Sequence, residues 1–429
     1  MDEKTILQVL ADQKDEKAKY NSQKLCHRME EEFFEWDSNL AQVVIGVRRC
    51  GKSTLCHKVL TQRKVKYAYV DMNDDRLFGL RTTDLNTVLN CVYQIYGSDV
   101  NYILLDEIQD VDGWYLFVNR LLRQGMYVVI TGSNAKLLSG ELATYLTGRY
   151  NEIRLFPFSY AESCSFSGID TEDVTTKADA SRKAAVTQYV MDGGMPELLS
   201  MKNQQSRRTY MGGLIETIIT KDIAKRFNIR NVESLRRMTH QLLNNVCQSI
   251  NYERLMSLAG LGSVATTQKY TGYLQQAFLI KKVQKFSFKS NERIRNEKVY
   301  VIDNGFIANR ENSLLGENIG WRLENVVFVE LLRRYSSQAD DIYFYKPTSR
   351  SKEVDFVVCR QGVVVELLQV AYSVSENKTF KRETGALIDA AEKLQNEKLS
   401  IVCLDDSRDV EIKGHTIHIK SAIDWLLGR

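Results

Sequence analysis

The chain has 429 residues, too many for one ordinary hydrophobic core, so several domains are expected. With 44% hydrophobic and 26% charged residues and only three prolines, the composition excludes a disordered or fibrous chain and argues against long linkers. The opening Met1-Asp2-Glu3-Lys4-Thr5 carries no apolar signal region and no run of about 18 apolar residues follows, so the expected location is cytoplasmic, without a membrane partner. The eight cysteines form no C-x-x-C pair, and only His415 and His418 stand close enough to suggest ligands, so neither a disulfide frame nor a zinc site is expected.

Residues 1–40 read as an N-terminal helical segment. An apolar strand at 42–46 then runs into Gly46-Val47-Arg48-Arg49-Cys50-Gly51-Lys52-Ser53, and a helix follows over 52–62. Strand, glycine-rich loop and helix in that order make a phosphate cradle: glycines let backbone N–H groups wrap the phosphates, and the helix N-terminus favours negative charge. Gly46, Cys50, Gly51, Lys52, Ser53 and Thr54 are the expected nucleotide contacts, with Lys52 on the β- and γ-phosphates and the Ser53 hydroxyl on Mg²⁺. The expected cofactors are therefore ATP and Mg²⁺.

The next strands are expected at 66–71, 102–106, 127–131 and 152–155, with helices near 85–97 and 113–123. The strand Tyr102-Ile103-Leu104-Leu105 ends in Asp106 and Glu107, one carboxylate for Mg²⁺ and one to polarise the attacking water. A strand-and-helix unit separates this pair from the phosphate loop. That order points to an ATPase with a carboxylate base and disfavours GTPases and small-molecule kinases. After the 127–131 strand, Asn134 is the expected sensor of the γ-phosphate, with Ser133 in reserve.

The phosphate loop, Leu104-Leu105-Asp106-Glu107-Ile108-Gln109, Thr131-Gly132-Ser133-Asn134, Leu146-Thr147-Gly148-Arg149 and Phe156-Pro157-Phe158-Ser159 together resemble the AAA+ ATPases of bacteria and archaea whose core is joined to a C-terminal region of unknown function. Gly193-Gly194-Met195-Pro196-Glu197 and Val301-Ile302-Asp303-Asn304-Gly305 extend the resemblance, which covers roughly residues 30–375. It implies that Arg149 is an arginine finger or sensor that stabilises transition-state charge in cis or in trans. It also implies an AAA+ core over 41–157 and a helical lid over 158–221.

Residues 222–298 hold 14 Lys and Arg against 5 Asp and Glu, the charge imbalance of a segment that meets an anionic partner. Helices at 235–247, 252–258 and 266–275, followed by a basic hairpin, suggest a winged helix-turn-helix. Thr267, Gln268, Lys269 and Tyr273 would meet DNA, with Lys281, Lys282, Lys285 and Lys289 on phosphates. Residues 299–429 read as helix 321–335, strands near 342–346, 353–358 and 363–370, helix 377–395, and strands near 399–404 and 415–419. That order suggests a restriction-endonuclease-like α/β domain with a site at Glu324, Asp355 and a third element, which the family's pattern places at Gln369-Val370-Ala371. Neither this frame nor Glu366-Leu367-Leu368 supplies the lysine that steadies the attacking water, and Lys378 or Lys381 would have to relocate into the site. The expectation is a vestigial nuclease fold kept for binding or assembly. The whole is read as an α/β, Mg²⁺-dependent ATPase of the AAA+ superfamily, DNA-associated through 222–298, with oligomerisation left open. The alternative is an ATP-gated signalling or protein-remodelling switch that binds a protein partner and no nucleic acid.

Overall fold

The computed structural model describes residues 1–21, 25–133, 146, 148–287, 296–308, 319–335, 340–348 and 350–429, with the backbone alone at 19, 21 and 340. The chain forms two compact units, Met1–Phe156 with Gln276–Phe278, and Pro157–Gln275 with Leu279–Arg429.

The first unit is built on five parallel strands, β1 (Ala41–Ile45), β2 (Tyr67–Asp71), β3 (Tyr102–Asp106), β4 (Tyr127–Gly132) and β5 (Tyr150–Arg154), in the order β2-β3-β4-β1-β5. β1 is buried along its whole length and β3 along most of it, which is why both read as continuous apolar runs rather than alternating ones. Helices α1 (Glu3–Asn21), α2 (Lys52–Gln62), α3 (Leu85–Tyr96) and α4 (Trp114–Arg123) complete the unit. α3 buries Leu85, Val88, Leu89 and Val92, and α4 buries Phe117, Val118, Leu121 and Leu122, spacings of three and four that place each set on one face. α1 adds Ile6, Val9 and Leu10 to the same core. It also covers the open edge of β2, where the Gln13 side-chain amide exchanges two hydrogen bonds with the Asp71 backbone, each 3.0 Å. An amide in that position satisfies groups that an edge strand otherwise exposes.

The second unit begins with helices α5 (Tyr160–Ser167), α6 (Thr176–Asp192), α7 (Pro196–Ser200) and α8 (Gln204–Thr217), the last continuing as a π-helix over Ile218–Lys225. Three helices follow, α9 (Val232–Asn244), α10 (Tyr252–Ala259) and α11 (Val264–Gln276), and then an antiparallel pair, β6 (Ile280–Gln284) and β7 (Glu297–Val301). After the short α12 (Gly305–Ala308) come α13 (Ile319–Arg334), the meander β8 (Asp340–Tyr345), β9 (Val354–Arg360) and β10 (Val363–Val370), then α14 (Asn377–Leu394) and β11 (Leu399–Cys403). β12 (Arg408–Ile412), β13 (His415–Ser421) and α15 (Ala422–Leu426) close the chain. The six strands lie in the order β12-β13-β11-β10-β9-β8, with β10, β11 and β13 mutually parallel. α14 is the crossover between β10 and β11, and its Ala386, Leu387 and Ala390 pack on Val357, Leu367 and Ile401. β12 was not expected from the sequence. It is a largely exposed outer strand whose residues alternate charge with single aliphatic groups, so it lacks an apolar run.

The two glycine-containing motifs at 193–197 and 301–305 meet in one buried knot. Asp303 is 5% exposed, and its carboxylate accepts the N–H of Gly194 at 2.7 Å and of Gly305 at 2.8 Å. Asn304 donates to the carbonyls of Val190 at 2.7 Å and Arg322 at 2.9 Å. A Cβ at Gly194 would fall well inside contact distance of the Phe158 carbonyl oxygen, which explains a glycine there. Gly194→Ala is expected to lower unfolding stability by about 2 kcal/mol, the cost of overpacking without room to relax, measured by urea denaturation.

Burial raises the Asp303 pKa to about 6, even though the two N–H donors and Arg333 favour its ionised form. Because the folded pKa is raised, its stabilising contribution is complete below the unfolded value of about 4 and is lost as pH rises through about 6. The urea midpoint should therefore rise between neutral pH and pH about 5, and this component of the slope should vanish in Asp303→Asn.

Candidate nucleotide site and second charged cluster

The carboxyl ends of parallel strands form the natural ligand edge of an open α/β sheet, and β1, β3 and β4 deliver the site's residues there. The phosphate loop joins β1 to α2. Gly46 approaches the Leu155 carbonyl so closely that a Cβ would clash with it, and Gly51 has φ +100°, a backbone region that disfavours side chains. Lys52 is buried, and its ammonium donates to the carbonyls of Gly46 and Val47, each at 3.2 Å. The Cys50 N–H closes the loop onto the Val47 carbonyl at 3.3 Å, while its buried thiol faces the Leu155 carbonyl at 3.5 Å. Cys50 is thus a packing residue of the cradle wall. Ser53 and Thr54 are half-buried in the first turn of α2.

Two consecutive residues of a strand point to opposite faces, so Asp106 and Glu107 can serve one site only if the chain turns between them. It does: Glu107 has φ +52° and ψ +36°, a left-handed conformation. Asp106 is 5% exposed and accepts hydrogen bonds from Thr131 Oγ1, from Ser53 and, at 3.4 Å, from the Tyr69 hydroxyl. Glu107 Oε2 accepts the Ser133 N–H and the Ser133 hydroxyl, both at 3.2 Å, and the Gln109 side-chain amide. Thr131 ties the Asp106 carboxylate to the backbone of the turn, because its Oγ1 also accepts the Glu107 N–H at 3.2 Å.

Their electrostatics diverge. Burial and the adjacent Glu107 charge raise the Asp106 pKa, with Thr131, Ser53 and Lys52 opposing. Burial also pushes Glu107 upward, but Lys52, Gln109, the Ser133 N–H and Arg48 outweigh it and hold Glu107 below the ordinary glutamate range. Asp71, opposite Asp106 on β2, is raised to about 7 by burial and by the Asp106 charge. A carboxylate kept ionised beside buried, raised ones is an arrangement to which a bound cation would be favourable. Ser53 and Asp106, hydrogen-bonded to each other beside Lys52, are oxygen donors of the type that fits Mg²⁺.

Lys52, Ser53, Asp106 and Glu107 are therefore brought together. Ser133, the reserve candidate for a γ-phosphate sensor, joins them through its hydrogen bonds to Glu107, whereas Asn134 lies outside the described residues. Arg149 is exposed, and its carbonyl accepts the Ala41 N–H at 3.1 Å, at the start of β1. The loop leaves the opposite end of that strand, roughly 16 Å away at about 3.3 Å per residue, so Arg149 does not reach its own chain's phosphate cradle.

Arg28 was missed by sequence reasoning. It is 5% exposed, with one guanidinium nitrogen 3.4 Å from the Cys50 carbonyl of the phosphate loop and another 2.6 Å from the Phe156 carbonyl. Nothing in its local sequence marks it, since its partners lie 22 and 128 residues along the chain. Tyr20 was also missed. Its ring stacks on His57 at 4.5 Å, and His57 in turn lies against Tyr69, the Asp106 partner, at 4.6 Å.

In the second unit, Glu324 and Asp355 do share a cluster, but not in the form expected. The Tyr300 hydroxyl donates to Glu324 at 2.7 Å, and Asp355 accepts the Val370 N–H at 2.9 Å. Gln369 is spent on structure: its oxygen accepts the Asp355 N–H at 2.9 Å, and its nitrogen donates to the Glu353 carbonyl at 3.0 Å and to Glu383 at 2.5 Å. The sequence shows no lysine at the third element, yet β7 supplies one. Lys298 pairs with Glu353 and lies 3.6 Å from Glu324. Among the described residues, no group of three or more His, Cys, Asp or Glu side chains is placed to hold a metal ion.

The expected DNA contacts are also revised in part. Thr267 is fully buried with its hydroxyl on the Ser263 carbonyl at 3.0 Å, and Tyr273 is stacked on Phe227 at 3.6 Å. Gln268 and Lys269 are exposed. Lys282 is paired with Glu297 at 3.0 Å, Lys285 donates to the Pro347 carbonyl at 3.4 Å, Lys281 is half-buried, and Lys289 lies outside the described residues.

With this geometry in place, the sequence comparisons agree on the class. Residues 38–164 match an AAA domain. Residues 183–315 match a domain of unknown function, DUF8612, and residues 320–422 match another, DUF4143. An uncharacterized protein of Methanocaldococcus jannaschii is 29% identical over 401 residues, covering 91% of this chain and 88% of the relative. An uncharacterized protein of Haemophilus influenzae is 30% identical over 404 residues, covering 91% of this chain and 95% of the relative. The chain belongs to the same family as the Haemophilus protein, and its AAA domain is followed by the two domains of unknown function.

Among solved structures, the chain is similar to the Walker-type ATPase of Pyrococcus abyssi, with TM-score 0.41, 16% identity and coverage of 66% of this chain and 95% of that one. It is also similar to the RuvB Holliday junction branch migration motor of Thermotoga maritima, with TM-score 0.30, 14% identity and coverage of 57% and 82%. Among the described residues, no helix is long and apolar enough to cross a membrane.

Arg28→Ala is expected to weaken nucleotide binding and to lower stability by about 3 kcal/mol, because two buried carbonyls and the neighbouring Glu30 lose a charged donor. Arg28→Lys should recover only part of the loss, since one ammonium does not reproduce the guanidinium fork. Titration with a fluorescent ATP analogue, alongside thermal unfolding, measures both.

Proposed function

We propose that the protein is a Mg²⁺-dependent ATPase in which Glu107 is the catalytic base, associated with DNA through residues 222–298. The observation that carries the reading is the left-handed turn at Glu107, which aims a second carboxylate at the site already holding Lys52, Ser53 and Asp106. Lys52 exchanges the Gly46 and Val47 carbonyls for β- and γ-phosphate oxygens, a short move for a buried ammonium already aimed across the loop. Ser53 and Asp106 would hold Mg²⁺, which would supply charge neutralisation at the phosphate oxygens. Glu107, kept ionised, orients the attacking water and takes its proton, while Ser133 and Gln109 fix the carboxylate that does so. Arg149, distant from its own cradle, serves a neighbouring copy, so full activity requires an oligomer.

The DNA reading is supported by element order. Helices α9, α10 and α11 are followed by the β6–β7 pair, and Ser249 between the first two helices bridges Lys298 of β7, the third strand of a winged-helix sheet. Lys269, Gln268 and Arg254 are exposed there. The α13-β8-β9-β10-α14-β11 succession supports a restriction-endonuclease-like fold that is retained without cleavage activity. The engagement of Lys282 and Lys285 within the chain favours, as a second reading, a switch that docks a protein through the same module.

Lys52→Ala should abolish tight ATP binding, whereas Glu107→Gln should bind ATP normally and lose hydrolysis by about 10²-fold or more. Near-normal turnover in Glu107→Gln rejects it as the base. In a salt series, DNA affinity should fall steeply, and Lys269→Ala should flatten the slope by about one unit without changing DNA-free hydrolysis. No DNA binding at low salt favours the protein-docking reading.

A further inference from the structure

The cluster around Lys298 is independent of the nucleotide site and of any ATPase reading. Lys298 lies on β7 and is 4% exposed. Two carboxylates lie within ion-pairing distance of its ammonium, Glu353 in direct contact and Glu324 of α13 at 3.6 Å, and the charge of Asp355 on β9 acts on it from farther off. The Phe344 ring lies 5.4 Å from the same nitrogen, and Lys346 meets Glu353 from the outside at 3.6 Å.

A lysine buried alone loses its proton, because desolvation penalises the ammonium. Here burial does press that way, but Glu324, Asp355 and Glu353 outweigh it and hold Lys298 above its ordinary pKa. The converse holds for the acids. Asp355 is raised by burial and by the Glu324 charge, and Lys298 is the cation that opposes both. Carboxylates drawn together away from bulk water need a cation among them, and a protein has two ways to supply one, a bound divalent ion or a basic side chain.

We propose that the Lys298 ammonium is the resident cation of this cluster and supplies to Glu324, Glu353 and Asp355 the counter-charge that a divalent ion would otherwise supply, closing the C-terminal domain to Mg²⁺ and Mn²⁺. The chemical consequence is direct. A metal offers an open coordination position and lowers the pKa of the water it binds; an ammonium whose protons are committed to carboxylates does neither. The same ammonium ties the β6–β7 pair to α13 and the β8–β10 meander, so the charge that silences the cluster also joins the two parts of this unit. The lysine missing from the third strand is thus present in space, with a structural rather than a hydrolytic task.

The test counts Mn²⁺ bound to the full-length protein without nucleotide, from the electron paramagnetic resonance of the free ion. Any ion at Ser53 and Asp106 contributes equally to every variant compared. Wild type and Glu324→Gln should bind the same amount. Lys298→Met should bind one further ion, lost again in Lys298→Met/Glu324→Gln, since removing the ammonium leaves carboxylates that a divalent ion satisfies. Lys298→Gln, a neutral side chain that still hydrogen-bonds carboxylates, replaces Lys298→Met if the latter does not fold by circular dichroism. The proposal is overturned if wild type binds an ion that Glu324→Gln loses, a comparison that needs no lysine variant. It is equally overturned if a folded Lys298 variant gains none.

Discussion

The nucleotide-binding unit depends on one electrostatic constraint: two consecutive carboxylates, Asp106 and Glu107, must sit together where water is scarce. Like charges that close repel, and burial raises the cost of each. The surroundings meet that demand piece by piece. Thr131 and Ser53 donate to Asp106, Ser133 and Gln109 donate to Glu107, and the Lys52 ammonium opposes both charges. The result is asymmetric, with Asp106 raised and Glu107 lowered, so two adjacent carboxylates are given different affinities for a proton. Sheet topology makes the meeting possible, because β1, β3 and β4 are neighbours and all point their carboxyl ends the same way.

The second unit solves the same problem with different partners. Asp303 is hydrogen-bonded by N–H groups rather than ion-paired, and the knot it makes binds the helices before residue 200 to those after 300. Lys298 is surrounded by acids, and Arg333 is buried with one nitrogen 2.6 Å from the Pro157 carbonyl. Arg28 holds the preceding carbonyl, Phe156, within the first unit. Each arginine thus satisfies a carbonyl within its own unit. Buried guanidinium groups suit this task, since they keep their charge and satisfy several carbonyls at once.

How much of this was legible in the sequence follows from the range of each interaction. The phosphate loop, the strand ending in Asp106 and Glu107, and the αβββαβ succession are local patterns of glycine spacing and apolar period, and the structure has elements at those places, with ends that differ by a few residues. β12 escaped because an exposed outer strand buries too little to leave an apolar signature. The GGMPE and VIDNG motifs were visible as motifs, but that they form one knot was not, because 109 residues separate Gly194 from Asp303.

By itself, then, the sequence determined the chemistry that neighbouring residues can express: a cradle for phosphates, a strand carrying two acids, and a basic segment after the helical region. Only the tertiary structure decided which distant groups complete those sites. It turned Glu107 through a left-handed residue, supplied Ser133 and Arg28 to the cradle, removed Arg149 to the far end of β1, and placed Lys298 among acids of α13 and β9. The physical reason is that a buried charge is matched by whatever partner the fold brings within a few ångströms, and spacing along the chain carries no information about that distance.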